Sequence, residues 1–125
     1  MSEQDDYDVF SAACPARHVL EDVTGRWGAL VLGSLGGGPL RFNELRRHVD
    51  GVSQKMLAQS LQALERDGLV NRVVQSTFPL KVEYSLTPPG EVVAAKLLEL
   101  IGYLNSSMPG IVEAQQAYDQ ARANS

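Results

Sequence analysis

Two short amphipathic patterns separated by a tight turn, within residues 41–67, constrain the fold more than any other feature. In the first pattern, apolar side chains recur at the three- and four-residue intervals of one helix face: Phe42, Leu45 and Val49. A turn follows at Asp50-Gly51, because glycine adopts positive φ with little strain. The second pattern repeats the apolar face with three leucines: Leu57, Leu61 and Leu64. The segment therefore predicts a helix–turn–helix unit.

The second predicted helix has recognisable ends and a distinct outer face. Ser53 is suited to the N-cap, because a serine hydroxyl accepts from the free amides of a first helical turn. Gly68 suits the left-handed residue that follows a helix. At about 100° per residue, five residues fall opposite the leucines: Lys55, Ala58, Gln59, Gln62 and Arg66. Because lysine and glutamine hydrogen-bond base edges in the major groove, this face is predicted to read DNA.

A β-hairpin is predicted directly after this helix. Residues 69–75 are rich in β-formers, and residues 81–86 alternate polar with apolar side chains. Phe78-Pro79-Leu80 forms the predicted tip, where a proline is tolerated because no ladder N–H is needed. Arg72 and Lys81 are placed to contact phosphates, which position a protein on a duplex without specifying sequence.

The charge of the chain is unevenly distributed. The 125 residues carry a formal net charge of −4, which on its own argues weakly against nucleic-acid binding. Residues 41–81, however, contain seven basic and four acidic residues, a net charge of +3 that leaves −7 for the remainder. A basic segment on an acidic body is expected of a protein that binds a duplex through one face. From charge alone, ordinary solvated helix charges explain the segment equally well.

These segments resemble the HxlR-type branch of the MarR-like winged-helix transcriptional regulators. The resemblance runs from about Cys14 to Leu104 and is carried by five motifs: Cys14, Gly25-Arg26-Trp27, Arg41–Leu45, Ser53–Leu57 and Val82–Thr87. Two departures are modest. Arg26 stands where the family usually has lysine, and the wing tip has Pro79 alone where the family often has two prolines.

The resemblance implies a mainly α-helical winged helix-turn-helix with a small β-hairpin and with N- and C-terminal dimerisation helices. We expect a flexible acidic N-terminus at 1–13, the winged domain at 14–105, and a C-terminal dimerisation helix with a frayed tail at 106–125. Within the domain, the recognition helix is expected at about 53–67 and the wing at about 70–87. Apolar residues between 91 and 105 exceed what one small core needs, although packing on their own domain is the alternative. A symmetric dimer predicts an inverted-repeat operator with half-sites about 34 Å apart.

Cys14 is the one residue suited to covalent chemistry. It precedes Pro15, so it is expected to cap a helix, where the helix dipole and nearby Arg17 and His18 favour the thiolate. Because the chain has a single cysteine, its reversible products are an intersubunit disulfide, a mixed disulfide or an electrophile adduct. The alternative is a small buried apolar thiol. Sensing is favoured by family members that respond to quinones, aldehydes or oxidants through a similarly placed cysteine.

Several other classes of protein are not supported by the sequence. His18 and His48 lie far apart and lack partners at ligand spacing, so neither a metal nor another cofactor is expected. No base stands at a readable spacing from Cys14, which argues against an enzyme. No apolar run approaches the ~18 residues of a membrane span, and the acidic N-terminus is unlike a signal peptide, so we expect a cytosolic protein.

The sequence therefore predicts a homodimeric, sequence-specific regulator of transcription, and a repressor rather than an activator. Its readers or anchors are expected on the recognition helix: Ser53, Gln54, Lys55, Gln59 and Gln62. Four further residues are expected to contact phosphates: Arg41, Arg46, Arg72 and Lys81. Modification of Cys14 by an oxidant or electrophile is expected to shift the dimer helices and alter operator affinity. Two alternatives remain open: a winged-helix protein-interaction module, and the same regulator switched by a small ligand in the dimer interface.

Overall fold

Five helices and a three-stranded sheet make up the part of the chain that the computed structural model describes, residues 7–125. Residues 1–6 of the expected flexible N-terminus lie outside it. The helices are α1 (Pro15–Thr24), α2 (Gly28–Leu35), α3 (Phe42–His48), α4 (Gln54–Arg66) and α5 (Pro88–Ala123). The strands are β1 (Leu40–Arg41), β2 (Val70–Thr77) and β3 (Leu80–Leu86). This arrangement confirms the predicted mainly α-helical winged helix-turn-helix.

Helices α3 and α4 form the predicted helix–turn–helix. The turn between them contains Gly51 at φ +89°, and α4 is followed by Gly68 at φ +75°, so both glycines adopt the left-handed conformation expected of them. The Ser53 hydroxyl oxygen accepts from the Met56 amide at 3.1 Å, which confirms Ser53 as the N-cap. The three leucines of α4 are buried in the core: Leu57, Leu61 and Leu64.

The wing is an antiparallel sheet in the order β1-β3-β2, and its two long strands are the predicted hairpin. The short strand β1 was not predicted, because two residues carry no periodic signal. Val74 pairs with Val82, whereas Ser76 pairs with Lys81, so Gln75 is an extra residue that forms a β-bulge. Leu80 was predicted to belong to the tip but is the first residue of β3, where it pairs with Thr77.

The wing joins α5 through a tight contact that involves a glycine. The Thr87 amide donates to the Leu69 carbonyl at 3.1 Å, while its hydroxyl donates to the Gly68 carbonyl at 2.7 Å. The same hydroxyl oxygen accepts from the Gly90 amide at 3.1 Å and so caps α5. A Cβ at Gly90 would collide with the Leu69 carbonyl. The base of the wing and the start of α5 are therefore held against each other.

Helix α5 is a single helix of 36 residues that crosses the expected boundary at residue 105 without a break. Pro109 lies inside it, exposed, so the carbonyl freed by the missing N–H faces solvent. Ala94 and Leu97 pack into the core, whereas a series of apolar side chains further along α5 is exposed: Leu100, Tyr103, Leu104, Met108, Val112 and Tyr118. The first turns of α5 thus complete the domain, and the remainder extends from it. The helix continues to Ala123, so the tail expected to fray is ordered almost to its end.

Candidate nucleic-acid interface

The outer face of α4 is polar, cationic and open to solvent. The predicted readers on this helix are all exposed: Gln54, Lys55, Gln59 and Gln62. No acidic residue lies in the first turn of α4, and its last turn carries Arg66. The exposed face therefore presents amide and ammonium donors over most of the helix, as contact with base edges and phosphates requires.

Ser53 plays a different part from the other readers. Its hydroxyl oxygen caps α4 by accepting from the Met56 amide. The hydroxyl proton is not used in this bond and remains available as a hydrogen-bond donor. A donor at the N-terminus of α4 suits a phosphate oxygen, which the helix dipole also favours.

Basic side chains of α3 and the wing contribute to a groove between these two elements. Arg41 caps α3, and its amide donates to the Glu44 carboxylate at 2.8 Å, so this acid is engaged at the helix start. An open groove of about 850 Å³ between α3 and β3 is lined by Arg41, Arg47 and Lys81, among others. Arg46, predicted to contact phosphate, is exposed on the neighbouring surface of α3. Arg47 was missed in the sequence, where nothing distinguishes it from Arg46.

The two basic residues of the hairpin lie on opposite faces of the wing. Arg72 pairs with Tyr84, whereas Lys81 pairs with Ser76, and neighbouring positions of β3 alternate between faces. Lys81 shares its face with Glu83, which pairs with Arg41 of β1. Arg72 and Lys81 therefore project from opposite faces of the wing, whereas Arg41 and Lys81 line the same groove.

His48, at the end of α3, contacts a neighbouring helix. Its Nδ1 lies 2.7 Å from the Ser34 hydroxyl oxygen, and that hydroxyl donates to the Leu30 carbonyl at 2.7 Å. Because the serine proton is already used, the imidazole Nδ1–H is the donor to serine. His48 thus ties the positioning helix α3 to α2, which is a structural role.

Two carboxyl groups meet beneath the C-terminal end of α4. Asp67, the C-cap of α4, lies against Asp22 of α1, and its Oδ2 is buried with no hydrogen-bond partner. Burial, a hydrogen bond with the Asp22 carboxyl and the charge of Asp22 raise the pKa of Asp67 from 3.8 to about 6, against a smaller opposing effect of Arg66. The sequence contained no signal for this pair, because 45 positions separate its members.

Cys14 is the N-cap of α1, as predicted, and is only 8% exposed. The Asp8 amide donates to its Sγ at 3.2 Å. The side chain of Arg17, which is expected to place positive charge near the thiol, donates to the carbonyls of Val9 at 2.9 Å and Phe10 at 2.6 Å. The segment before α1 is therefore held over the cysteine by hydrogen bonds from both sides.

Within residues 7–125, no group of three potential metal-ligating side chains comes together. No helix in the same part of the chain is long and apolar enough to cross a membrane. The exposed basic surface of α3, α4 and the wing is the principal candidate site for binding nucleic acid.

Comparison with known proteins identifies the same architecture. Residues 22–111 match the family model for the HxlR-like helix-turn-helix. The chain is 50% identical over 105 residues to the uncharacterized HTH-type transcriptional regulator YtfH of Escherichia coli, covering 84% of this chain and 83% of the relative.

Solved structures agree with the sequence match. The transcriptional regulator ytfH from Salmonella typhimurium superimposes with a TM-score of 0.83 at 48% identity, covering 88% of this chain and 98% of that one. The redox regulator HypR in its reduced form superimposes with a TM-score of 0.71 at 33% identity, covering 79% and 98%.

Proposed function

The chain belongs to the HxlR-like helix-turn-helix family of transcriptional regulators, and on this premise we propose that it represses transcription as a homodimer bound to an inverted-repeat operator. The family consists of DNA-binding regulators and not of enzymes. The observation that carries the proposal is the face of α4 opposite its buried leucines, which is exposed, rich in amide and ammonium donors, and flanked by a basic wing.

In this proposal α4 enters the major groove and its exposed side chains contact base edges. Gln59 and Gln62 have the paired donor and acceptor that match adenine, whereas Lys55 donates to guanine or to phosphate. Gln54 and Ser53, at the start of α4, contact the first bases and the adjacent backbone. Burial of the leucines on the opposite face keeps this orientation fixed relative to the core.

The phosphate contacts come from two sides of the wing. Arg41 and Lys81 act together from the groove between α3 and β3, with Arg46 on the neighbouring surface of α3. Arg72 contacts the backbone from the other face of the hairpin. These contacts supply affinity and fix the register in which α4 meets the bases.

A second copy of the chain is the partner that the extended part of α5 requires. Its exposed apolar side chains form a surface longer than one domain can cover, and Val19 and Leu20 of α1 are exposed as well. Pairing of these helices across a two-fold axis buries both sets and places two α4 helices on one side of the dimer. Half-sites about 34 Å apart, one turn of the duplex, then fit the two recognition helices.

Selection of duplexes from a random library tests this proposal. Wild-type protein should enrich an inverted repeat, and Gln59→Ala should relax one base position in each half-site, with a loss of about 1–3 kcal/mol in discrimination. Gln115→Ala, an exposed glutamine on α5, is the matched control and should leave the selected sequence unchanged. Enrichment of no sequence, or of an unpaired half-site, would contradict the proposal.

We further propose that Cys14 is the signal-sensing residue of this regulator. Support comes from its position at the start of a proposed dimerisation helix, from the amide that donates to its sulfur, and from the similarity to the redox regulator HypR. Diamide oxidises two thiols to one disulfide, so it should change operator affinity in the wild type but not in Cys14→Ser. Equal affinity of the treated and untreated wild type would contradict sensing while leaving the DNA-binding proposal intact.

A further inference from the structure

The tip of the wing is apolar and almost fully exposed. Phe78 is 95% exposed and Leu80 is 64% exposed, and the four residues from Thr77 to Leu80 carry no charge. A phenylalanine side chain left in water forgoes the stabilisation that its burial would give. The tip therefore presents an apolar surface that nothing within the described part of the chain covers.

The length of the hairpin sets where this tip lies relative to α4. Strand β2 begins at Val70, which is buried in the core, and extends to Thr77 before the chain turns. Seven steps of a strand span about 23 Å, whereas neighbouring grooves of a duplex are half a turn, about 17 Å, apart. When α4 occupies the major groove, the tip is thus long enough to reach the adjacent minor groove.

The charges around the tip favour a polyanion as the partner. Lys81 follows Leu80 directly, Arg72 lies on the other face of the hairpin, and Arg41 and Arg47 line the groove at its side. Glu83 is the acidic residue of the hairpin and lies three positions from Leu80, towards the base. An apolar tip within a cationic surface matches the minor groove, whose walls carry phosphates and whose stacked base steps accept apolar wedges.

We propose that Phe78, supported by Leu80, inserts into the minor groove beside the major groove that α4 reads and acts as an apolar wedge against one base step. Apolar wedges of this kind partly unstack a step and bend the duplex, and they are met most easily by flexible pyrimidine–purine steps. The wing then contributes to sequence preference without a hydrogen bond to any base. This inference rests on the proposed DNA-binding function and adds a specificity-determining residue to it.

Duplex binding by single substitutions tests the wedge directly. With the duplex selected by the wild type, Phe78→Ala should weaken binding roughly tenfold, because an apolar contact in the groove is lost. The slope of log K against log salt should be the same for Phe78→Ala as for the wild type, because the substitution removes no charge and so releases no fewer counterions. Lys81→Ala, which removes a charge, should reduce this slope by about one. Phe10→Ala is the matched control, because Phe10 is 87% exposed but lies before α1 and not on the wing.

Hydroxyl-radical footprinting locates the contact. Wild type and Phe10→Ala should protect sugars in the minor groove half a turn outside the α4 contacts, and Phe78→Ala should lose that protection alone. Phe78→Leu should restore most of the affinity, which separates loss of the contact from a misfolded wing. Unchanged affinity and footprint in Phe78→Ala, while the wild type binds its duplex, would overturn the wedge and leave the proposed function standing. Failure of the wild type to bind any duplex would overturn both, and a changed oligomeric state with unchanged DNA binding would assign the tip to protein contacts instead.

Discussion

Replacing Asp67 with asparagine should stabilise the protein at neutral pH and remove part of its pH dependence. The Asp67 carboxyl lies against that of Asp22, with one oxygen buried and unpaired. Burial is the main cause that raises its pKa to about 6, and Asp22 contributes through a hydrogen bond and through its charge. At neutral pH the folded protein therefore holds an unfavourable negative charge, and an asparagine cannot acquire one.

The magnitude follows from proton linkage. Between pH 4 and 6 the folded state retains a proton on Asp67 that the unfolded chain, with a pKa near 3.8, has already released. The free energy of unfolding therefore decreases as the pH rises through this interval and is level above it. A shift of about two pKa units corresponds to roughly 3 kcal/mol, and partial exposure of Asp67 to solvent reduces the expected effect to about 1–2 kcal/mol.

Urea unfolding followed by far-UV circular dichroism, at one protein concentration and at pH 4.5 and 7.5, measures the effect. Asp67→Asn should exceed the wild type in unfolding free energy at pH 7.5, and by only about a third as much at pH 4.5, where the folded wild type keeps its proton and the unfolded chain has released most of its own. Glu65→Gln is the matched control, because it removes an exposed negative charge from the same end of α4 and should produce a change within about 0.5 kcal/mol at either pH. An Asp67→Asn variant no more stable than the wild type at pH 7.5 would refute the reasoning.

Two further predictions concern backbone contacts. Gly90→Ala should destabilise the fold by about 3 kcal/mol, because its Cβ would collide with the Leu69 carbonyl. Gly110→Ala, on an open face of α5, is the control and should be neutral or slightly stabilising. Equal thermal unfolding midpoints for the two variants would contradict the packing described at the base of the wing. Ser53→Ala should lower the unfolding free energy by about 1 kcal/mol, because the Met56 amide loses its acceptor, and an unchanged urea midpoint would show that water replaces the cap without loss.

The central elements of the fold were predictable because their signals are local. The leucines of α4 recur at helical spacing and are buried, and the cap at Ser53 and the glycine at 68 mark the ends of the helix in the sequence as they do in the structure. The hairpin was predictable for the same reason, since its strands combine β-formers with a turn that contains Pro79.

The features that were missed depend on long-range contacts or on competing local rules. Asp22 and Asp67 meet only after α1 packs against α4, so no periodicity reveals them. Proline usually ends a helix, yet Pro109 is accommodated on an exposed face of α5, and the helix continues. The two carbonyls that accept from Arg17 belong to the segment before α1, which has no regular secondary structure and therefore no periodic signal.

The salt dependence of duplex binding tests most directly whether α4 is the DNA-reading helix. The affinity of the wild type, Lys55→Ala and Lys96→Ala for the duplex selected by the wild type would be measured by fluorescence anisotropy across a series of salt concentrations. Lys55→Ala should lower both the affinity and the slope of log K against log salt, by about one where it contacts phosphate, whereas Lys96→Ala, an exposed lysine of α5, should change neither. Equal affinity and slope for all three proteins would contradict the assignment of α4 to the major groove.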